Sequence, residues 1–178
     1  VRKINAGAGS YPFYQSERTR NTSGTFYSIT SDETLKMVLE HNGRQDNTVV
    51  RFKAESSGTF DHAYDANKTL GAIGKPSVYT HMNTTEWYSI NNVPSIEEYS
   101  SIPLSVAAET NGNMTFTANG ISTFDPTSYI YLEDKKTGVW QDLRANNSYS
   151  FTAAKTDNND RFVLHFTPKA EITAADAN

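Results

Sequence analysis

Short runs in which apolar and polar residues alternate recur along this chain, and they constrain its fold more than any other feature. Residues 35–40 (LKMVLE) and 160–166 (DRFVLHF) are the clearest examples. In the second run, Phe162, Leu164 and Phe166 alternate with Arg161, Val163 and His165. A period of two residues is typical of a β-strand with one buried face, because successive side chains point to opposite faces of a sheet. The chain is therefore predicted to consist of half-buried strands.

Polar turn signals separate these runs at regular intervals in the C-terminal half. Examples are Asn111-Gly112, Lys136-Thr137-Gly138 and Asn146-Asn147. The chain also has 10 Tyr and 9 Phe but only 3 Met, and aromatic side chains suit a pleated surface better than a helical bundle. About ten to twelve strands are expected, which is enough for two sheets. The fold is predicted to be all-β, an antiparallel two-sheet sandwich of the jelly-roll kind.

The alternation also predicts which side chains point into the core. Residues of one parity in each strand should be buried, and their neighbours should face outward. The residues expected to point inward are Leu35, Met37, Leu39, Phe116, Tyr149, Phe151, Phe162, Leu164 and Phe166.

The length of 178 residues suits one domain with a sizeable core. We expect this domain to span residues 21–168, with two halves that meet at the Pro- and Ser-marked link near 94–103. Residues 1–20 are expected to form an irregular N-terminal arm with a short strand, and residues 169–178 a C-terminal linker. The chain is expected to be a piece of a longer protein.

One long segment between predicted strands carries two acidic residues. Residues 61–69 are expected to form a short helical turn, which places Asp61 and Asp65 on one face because they are four positions apart. Two close carboxylates repel each other unless a cation lies between them. Lys68 is the partner that we favour, and the alternative is a calcium ion bound by Asp61, Asp65 and backbone carbonyl oxygens.

The run Asp157-Asn158-Asn159-Asp160 offers oxygen ligands of the kind that calcium prefers. It lacks the Gly and the distant Glu of a helix-loop-helix calcium site. Asn and Asp also form turns, because their side chains bond to their own backbone. The turn is favoured here, with Arg161 facing solvent.

Aromatic residues beside amides are candidates for sugar binding. Trp87 and Tyr88 lie close to Asn91 and Asn92 in the sequence, and Trp140 is followed by Gln141. Because neighbours on a strand face opposite ways, only one of Trp87 and Tyr88 can be a core residue in a one-sided sheet. Trp87, Tyr88 and Trp140 are therefore candidate ligand-binding residues, and packing within the sheet is the alternative at each position.

Composition and motifs argue against several functions. The net charge is −4 with no basic cluster, which argues against nucleic acid as a partner. The absence of Cys excludes disulfides and thiolate metal sites, and no run approaches the roughly 18 apolar residues of a membrane span. No hydrolase or nucleotide-binding motif is present. We predict no catalytic residues, and no pocket in which a His, a carboxylate and a nucleophile converge.

A longer pattern runs through the second half of the chain. A Leu-Glu-Asp-Lys run precedes a Thr-Gly turn, and the strands SYSFTA and DRFVLHF follow. This pattern resembles the module that precedes the C-terminal sorting domain in bacterial surface proteins exported by type IX secretion, over roughly residues 35–168. The matching residues are Phe60, Asp61, Tyr64, Asp65, Ala66, Lys68, Leu132 to Lys135, Thr137, Gly138, Asp142, Leu143, Ser148 to Ala153 and Asp160 to Phe166.

The resemblance implies a secreted, surface-anchored parent protein, often an adhesin or a polysaccharide-acting enzyme. The leading expectation is a non-catalytic structural or adhesion module, with a carbohydrate-binding module as the alternative and a fragment of a secreted hydrolase as a third. A surface glycan or neighbouring domains of the parent protein are the expected partners. No cofactor is expected apart from the calcium alternative at Asp61 and Asp65.

Overall fold

A computed structural model describes residues 32–70 and 74–168. The predicted arm over residues 1–20 and the predicted linker over residues 169–178 lie outside this part of the chain. The described part is nearly all-β, with one 3-10 helix at Ile121–Thr123. Its strands are β1 (Thr34–His41), β2 (Arg44–Phe52), β3 (Ala66–Asn67), β4 (Ser77–His81), β5 (Trp87–Val93), β6 (Ser101–Ala107), β7 (Gly112–Asn119), β8 (Ser128–Asp134), β9 (Val139–Asp142), β10 (Ser148–Ala153) and β11 (Phe162–Pro168).

Backbone hydrogen bonds join all of these strands into one sheet. The strand order is β10-β7-β1-β2-β5-β4-β6-β11-β8-β9, and β3 also pairs with β5. Every pair is antiparallel except β2 with β5, which is parallel and links the two halves of the sheet. The ladder therefore does not divide into the two separate antiparallel sheets predicted from the sequence.

The sheet curls until it is nearly closed, like a barrel. Phe116 of β7 and Phe162 of β11 meet across the interior, with ring centroids 5.1 Å apart. Near the two ends of the strand order, the Tyr149 hydroxyl of β10 donates to Asp134 Oδ2 of β8 at 2.9 Å. No helix in residues 32–70 or 74–168 is long and apolar enough to cross a membrane.

The predicted core is confirmed. Each side chain expected to point inward is buried, apart from Tyr149, which is half-buried at the margin of the core. Phe116, Phe151 and Phe162 form its aromatic centre, with ring centroids 4.7–5.2 Å apart.

The first hairpin, formed by β1 and β2, turns on Asn42-Gly43. Both residues have positive φ, 51° and 75°. Two successive residues in the left-handed region are typical of the tight turns whose twist matches that of a hairpin. The β1–β2 ladder therefore runs without a break from Thr34–Arg51 to His41–Arg44.

The helical turn predicted over residues 61–69 is confined to Asp61–Asp65. There, the Tyr64 and Asp65 N–H groups both donate to the Asp61 carbonyl, at 3.0 and 2.7 Å. The following backbone hydrogen-bonds to β5 instead of continuing the helix: β3 pairs with β5, and the Lys68 N–H donates to the Trp87 carbonyl at 2.7 Å. The segment thereby lies across β5.

Candidate functional site

The two acidic residues of this segment bind backbone groups of the protein. Asp65 Oδ2 accepts from the Asp61 N–H at 2.8 Å, and Asp65 Oδ1 accepts from the Asn92 N–H at 2.7 Å. Asp61 Oδ1 accepts from the Ala63 N–H at 2.8 Å. Both oxygens of Asp65 thus have N–H donors, which fasten the segment to β5.

The prediction that Lys68 neutralises these acids is wrong. The Lys68 ammonium pairs with Asp46 on β2 at 2.5 Å and donates to the Asn47 carbonyl at 3.2 Å. Asp65 does not need the ammonium, because N–H donors stabilise a carboxylate as well. Within the described ranges, no three His, Cys, Asp or Glu side chains are grouped so that they could hold a metal ion.

We therefore expect a chelator to leave the melting temperature unchanged. Replacing Asp65 with Ala should lower the free energy of unfolding by about 1–3 kcal/mol, because it leaves the Asp61 and Asn92 N–H groups without their acceptor. Differential scanning fluorimetry with and without EDTA, together with urea unfolding of Asp65→Ala, tests both expectations. A drop in melting temperature on adding EDTA that calcium reverses would instead establish a calcium site.

The run from Asp157 to Asp160 forms the predicted turn. The Asp160 N–H donates to Asn158 Oδ1 at 3.0 Å, so the Asn side chain binds the backbone two residues on. Asp157 pairs with Lys136 at 2.7 Å and accepts from the Ala154 N–H at 3.0 Å. The Lys136 hydrogen bond lowers the pKa of Asp157. This turn, residues 157–160, is called the 157–160 loop below.

Arg161 does not face solvent as predicted but is buried, at 7% exposure. Its guanidinium donates to both oxygens of the fully buried Asp134, at 2.7 and 2.5 Å, and to the Thr152 carbonyl at 2.8 Å. It also lies 4.9 Å from the ring centroids of Phe151 and Phe162. The prediction failed because the partner of Arg161, Asp134, lies 27 positions away in the sequence, and no local pattern reveals such a pair.

The environment of Asp134 keeps it ionised. Burial alone would raise the pKa of Asp134, but hydrogen bonds from Arg161 and Tyr149 outweigh burial and hold that pKa below its usual range. Asp134, Tyr149 and Arg161 come from the Leu-Glu-Asp-Lys, SYSFTA and DRFVLHF segments respectively. The motif that carries the family resemblance is thus a buried ion-pair network that joins β8, β10 and the start of β11.

The 157–160 loop also forms one wall of a cleft of about 490 Å³. Trp87, at the start of β5, lines the opposite wall, and its indole is 38% exposed. The buried Tyr79 ring supports the indole, with centroids 5.3 Å apart and planes 36° apart. This volume is called the Trp87 cleft, and its further lining residues are His81, Asn83, Thr84 and Lys155.

Polar residues line this cleft beside the aromatic wall, some of them with buried polar atoms. Nε2 of His81 is buried and makes no aligned hydrogen bond within the described residues, although Asp160 Oδ1 lies 3.1 Å away. The Tyr79 hydroxyl lies 3.5 Å from Asn159 Nδ2. Burial raises the pKa of Tyr79, so its phenol stays protonated and can donate. The cleft therefore combines an exposed indole with polar side chains, among them Asn83 and Thr84, which are exposed and can hydrogen-bond to hydroxyls.

Beside this cleft, a His, a carboxylate and a hydroxyl lie close together, although Ser105 is not among the residues that line the cleft. Asp160 Oδ1 accepts from the Ser105 hydroxyl at 2.6 Å and lies 3.1 Å from His81 Nε2. The carboxylate, however, lies between the other two groups. A serine nucleophile needs the His next to it as its base, and Ser105 is fully buried. This set cannot activate Ser105.

A second set lies on the outer face of the sheet. His165 Nε2 lies 2.9 Å from Glu133 Oε2, and its Nδ1 lies 3.1 Å from the Ser101 hydroxyl. A carboxylate can only accept, so Nε2 carries a proton, and in that tautomer Nδ1 can accept from the Ser101 hydroxyl. Ser101, His165 and Glu133 thus stand in the order of nucleophile, base and orienting carboxylate that serine enzymes use. Ser101 and His165 are also direct cross-strand neighbours of β6 and β11, where polar pairs stabilise sheets.

The three aromatic candidates occupy different environments. Tyr88 is 1% exposed, beneath the Phe60 ring at 5.8 Å, so it cannot serve as a stacking surface. Trp140 on β9 is 39% exposed and stacks on His165, with ring centroids 4.3 Å apart. One of Trp87 and Tyr88 is buried and the other exposed, as the alternation predicts. The structure brings Trp87 to the 157–160 loop but places Trp140 on another surface.

Comparison with known proteins identifies the family. A family model described as "Domain of unknown function (DUF8693)" matches residues 4–166. The chain belongs to this family. No curated protein and no solved structure gives a significant match. For this DUF8693 domain, the sequence analysis missed Tyr79 and His81 as site residues, because no local motif links them to the 157–160 loop some 80 positions later in the chain.

Proposed function

We propose that this domain is a non-catalytic adhesion module of a secreted, surface-anchored protein, and that it binds an uncharged glycan in the Trp87 cleft. The observation that carries the proposal is the exposed indole of Trp87, held by Tyr79 beside polar groups on the opposite wall. Sites for small ligands combine apolar and aromatic walls with a few polar groups that fix orientation. The secreted location rests on the sequence resemblance.

The charges of the cleft favour a neutral ligand. Asp157 is paired with Lys136, and Asp160 accepts from Ser105. Lys155 lies 3.9 Å from Glu109. The charged residues that line the cleft are of both signs, and Asp157 is paired with Lys136, so the cleft has no excess of positive charge for an anion. Sugar hydroxyls, which both donate and accept, therefore fit it better than a carboxylate or a sulfate.

The finer fold assignment is part of the same proposal. The contact between Phe116 and Phe162 supports two facing layers, as in a jelly-roll-like sandwich, although hydrogen bonds join the layers on one side. In such a module, loops that cluster beyond the strands supply the binding residues, and the 157–160 loop has that position.

A glycan array followed by fluorescence titration tests the binding site. The chain has only two Trp, so Trp140→Phe leaves Trp87 as the only reporter of its own cleft. We expect the neutral oligosaccharide that binds most strongly on the array to change the fluorescence emission of Trp140→Phe. The change should saturate as the oligosaccharide concentration rises. Trp87→Ala should weaken its binding by about tenfold or more, which corresponds to at least about 1.4 kcal/mol.

Two controls separate the alternatives. Leu70→Ala removes another exposed apolar side chain, away from the residues that line the cleft, and should leave the affinity unchanged. An emission of Trp140→Phe that does not respond to any array ligand would reject the Trp87 cleft. Cleavage of a bound glycan, or of p-nitrophenyl acetate, that disappears in Ser101→Ala would favour the secreted-hydrolase alternative over a non-catalytic module.

A further inference from the structure

Four rings form a continuous strip on the outer side of β8, β9 and β11. Tyr129 and Tyr131 lie 5.6 Å apart between centroids, and Tyr131 lies 6.3 Å from Trp140. Trp140 stacks on His165 with planes 24° apart. This surface, formed by Tyr129, Tyr131, Trp140 and His165, is called the Trp140 face.

The core does not require these rings. On β8, the alternating residues Ile130 and Leu132 point inward and are fully or almost fully buried. The two Tyr residues of the same strand lie on the other side and are half-buried. Trp140 belongs to a strand of four residues at one end of the strand order. Its large ring remains 39% exposed and is not part of the core cluster.

The strip is held in place before any ligand arrives. Both ring nitrogens of His165 have partners, Glu133 at 2.9 Å and Ser101 at 3.1 Å, so its imidazole cannot rotate freely. The Trp140 indole rests on this fixed ring. A surface that is already ordered loses little conformational entropy on binding, and more of the contact energy remains as affinity.

The charges of this surface are already partnered. Glu133 is bound to His165, and Asp142 Oδ1 accepts from the Arg144 and Ala145 N–H groups at 2.8 and 3.2 Å. Burial raises the pKa of Tyr131, so its phenol stays neutral. The strip offers aromatic faces and hydroxyls without a charge in need of a counter-ion, and this matches an uncharged, hydroxyl-rich ligand.

We propose that the Trp140 face is a second glycan-binding surface, which takes several consecutive sugars of an extended, uncharged polysaccharide. It shares the ligand class of the proposed function but does not depend on the Trp87 cleft. A row of three large rings across adjacent strands suits a chain of sugars better than one sugar. A protein partner fits less well, because a specific protein interface buries about 600 Å² or more on each partner. Trp140 is only 39% exposed and the two Tyr are half-buried, so the three rings offer only part of the about 150–250 Å² that each could bury.

The experiment uses Trp87→Phe, in which Trp140 is the only tryptophan. The probes are cellohexaose, xylohexaose and mannohexaose, the matching disaccharides, and an oligogalacturonide as the charged control. We expect at least one neutral hexasaccharide to shift the Trp140 emission in a saturable manner. Its disaccharide and the oligogalacturonide should bind about tenfold more weakly or worse. Adding Tyr131→Ala to this background should weaken hexasaccharide binding by about tenfold.

Val139→Thr is the matched control, because Val139 is a neighbouring β9 residue with a similar exposure of 42% but lies outside the ring strip. It should leave the affinity unchanged. The absence of a response to every neutral hexasaccharide, or equal affinity with and without Tyr131→Ala, would overturn the proposal. Concentration-dependent dimerisation that Trp140→Ala abolishes would also overturn it, by assigning the face to a second copy of the chain.

The two proposals fail separately. A response in Trp87→Phe without one in Trp140→Phe would leave the Trp140 face as a glycan surface and reject the Trp87 cleft. The reverse result would retain the cleft and reject the face.

Discussion

Replacing Arg161 with Met should lower the free energy of unfolding by about 3–5 kcal/mol. The side chain keeps similar length and remains between Phe151 and Phe162, but Asp134 loses both guanidinium hydrogen bonds while it stays fully buried. An unpaired charge in that position is the main cost. Urea unfolding, followed by the fluorescence of the two Trp residues, measures the change.

The double variant Arg161→Met/Asp134→Asn is the control. The amide carries no charge, and its carbonyl oxygen can still accept from Tyr149 or the Lys136 N–H, so the double variant should be more stable than Arg161→Met alone. If Arg161→Met costs less than about 1 kcal/mol, a figure typical of exposed ion pairs, the pair does not hold these strands together.

Replacing Phe162 with Ala should lower the free energy of unfolding by about 3–5 kcal/mol, through lost burial and the cavity that remains. Its ring is fully buried and contacts Phe116, Phe151 and the Arg161 guanidinium. The same urea titration measures the loss, and the far-ultraviolet circular dichroism of the variant shows whether it still folds.

The neighbouring residue on β11 gives a matched control. Val163 lies on the opposite side of the strand and is half-buried, so Val163→Ala should cost clearly less than Phe162→Ala. If the two variants lose similar free energy of unfolding, one side of β11 does not face the core while the other faces outward. That result would contradict the alternation.

The sequence determines strands and their faces well where the pattern is local. The alternation in β1 and β11 predicts residues that are buried in the structure. Strands that are neighbours in the sequence, such as β1 with β2 and β4 with β5, form antiparallel pairs. The pairing between distant strands has no such local signal. The parallel contact of β2 with β5 decides whether the strands form one sheet or two, and no turn residue specifies it.

The candidate sites show the same limit. Exposed aromatic residues could be recognised as candidates one at a time, but the neighbours of each came only from the folded chain. Trp87 meets a loop about 70 residues further on, and Trp140 meets His165 across β8. Partners of charged groups were also unpredictable, because Lys68 and Arg161 are paired with Asp46 and Asp134 from other strands rather than with residues nearby in sequence.

The position of β11 in the strand order has a mechanical consequence. It has β6 on one side and β8 on the other, with antiparallel ladders to both. Tension on the chain beyond Pro168 would therefore load two rows of hydrogen bonds together, and withdrawing the strand would also drag Phe162, Leu164 and Phe166 out of the interior. A strand such as β9, at the end of the order, could be peeled from one neighbour bond by bond. The domain should therefore resist pulling at β11 more strongly than at a strand that ends the order.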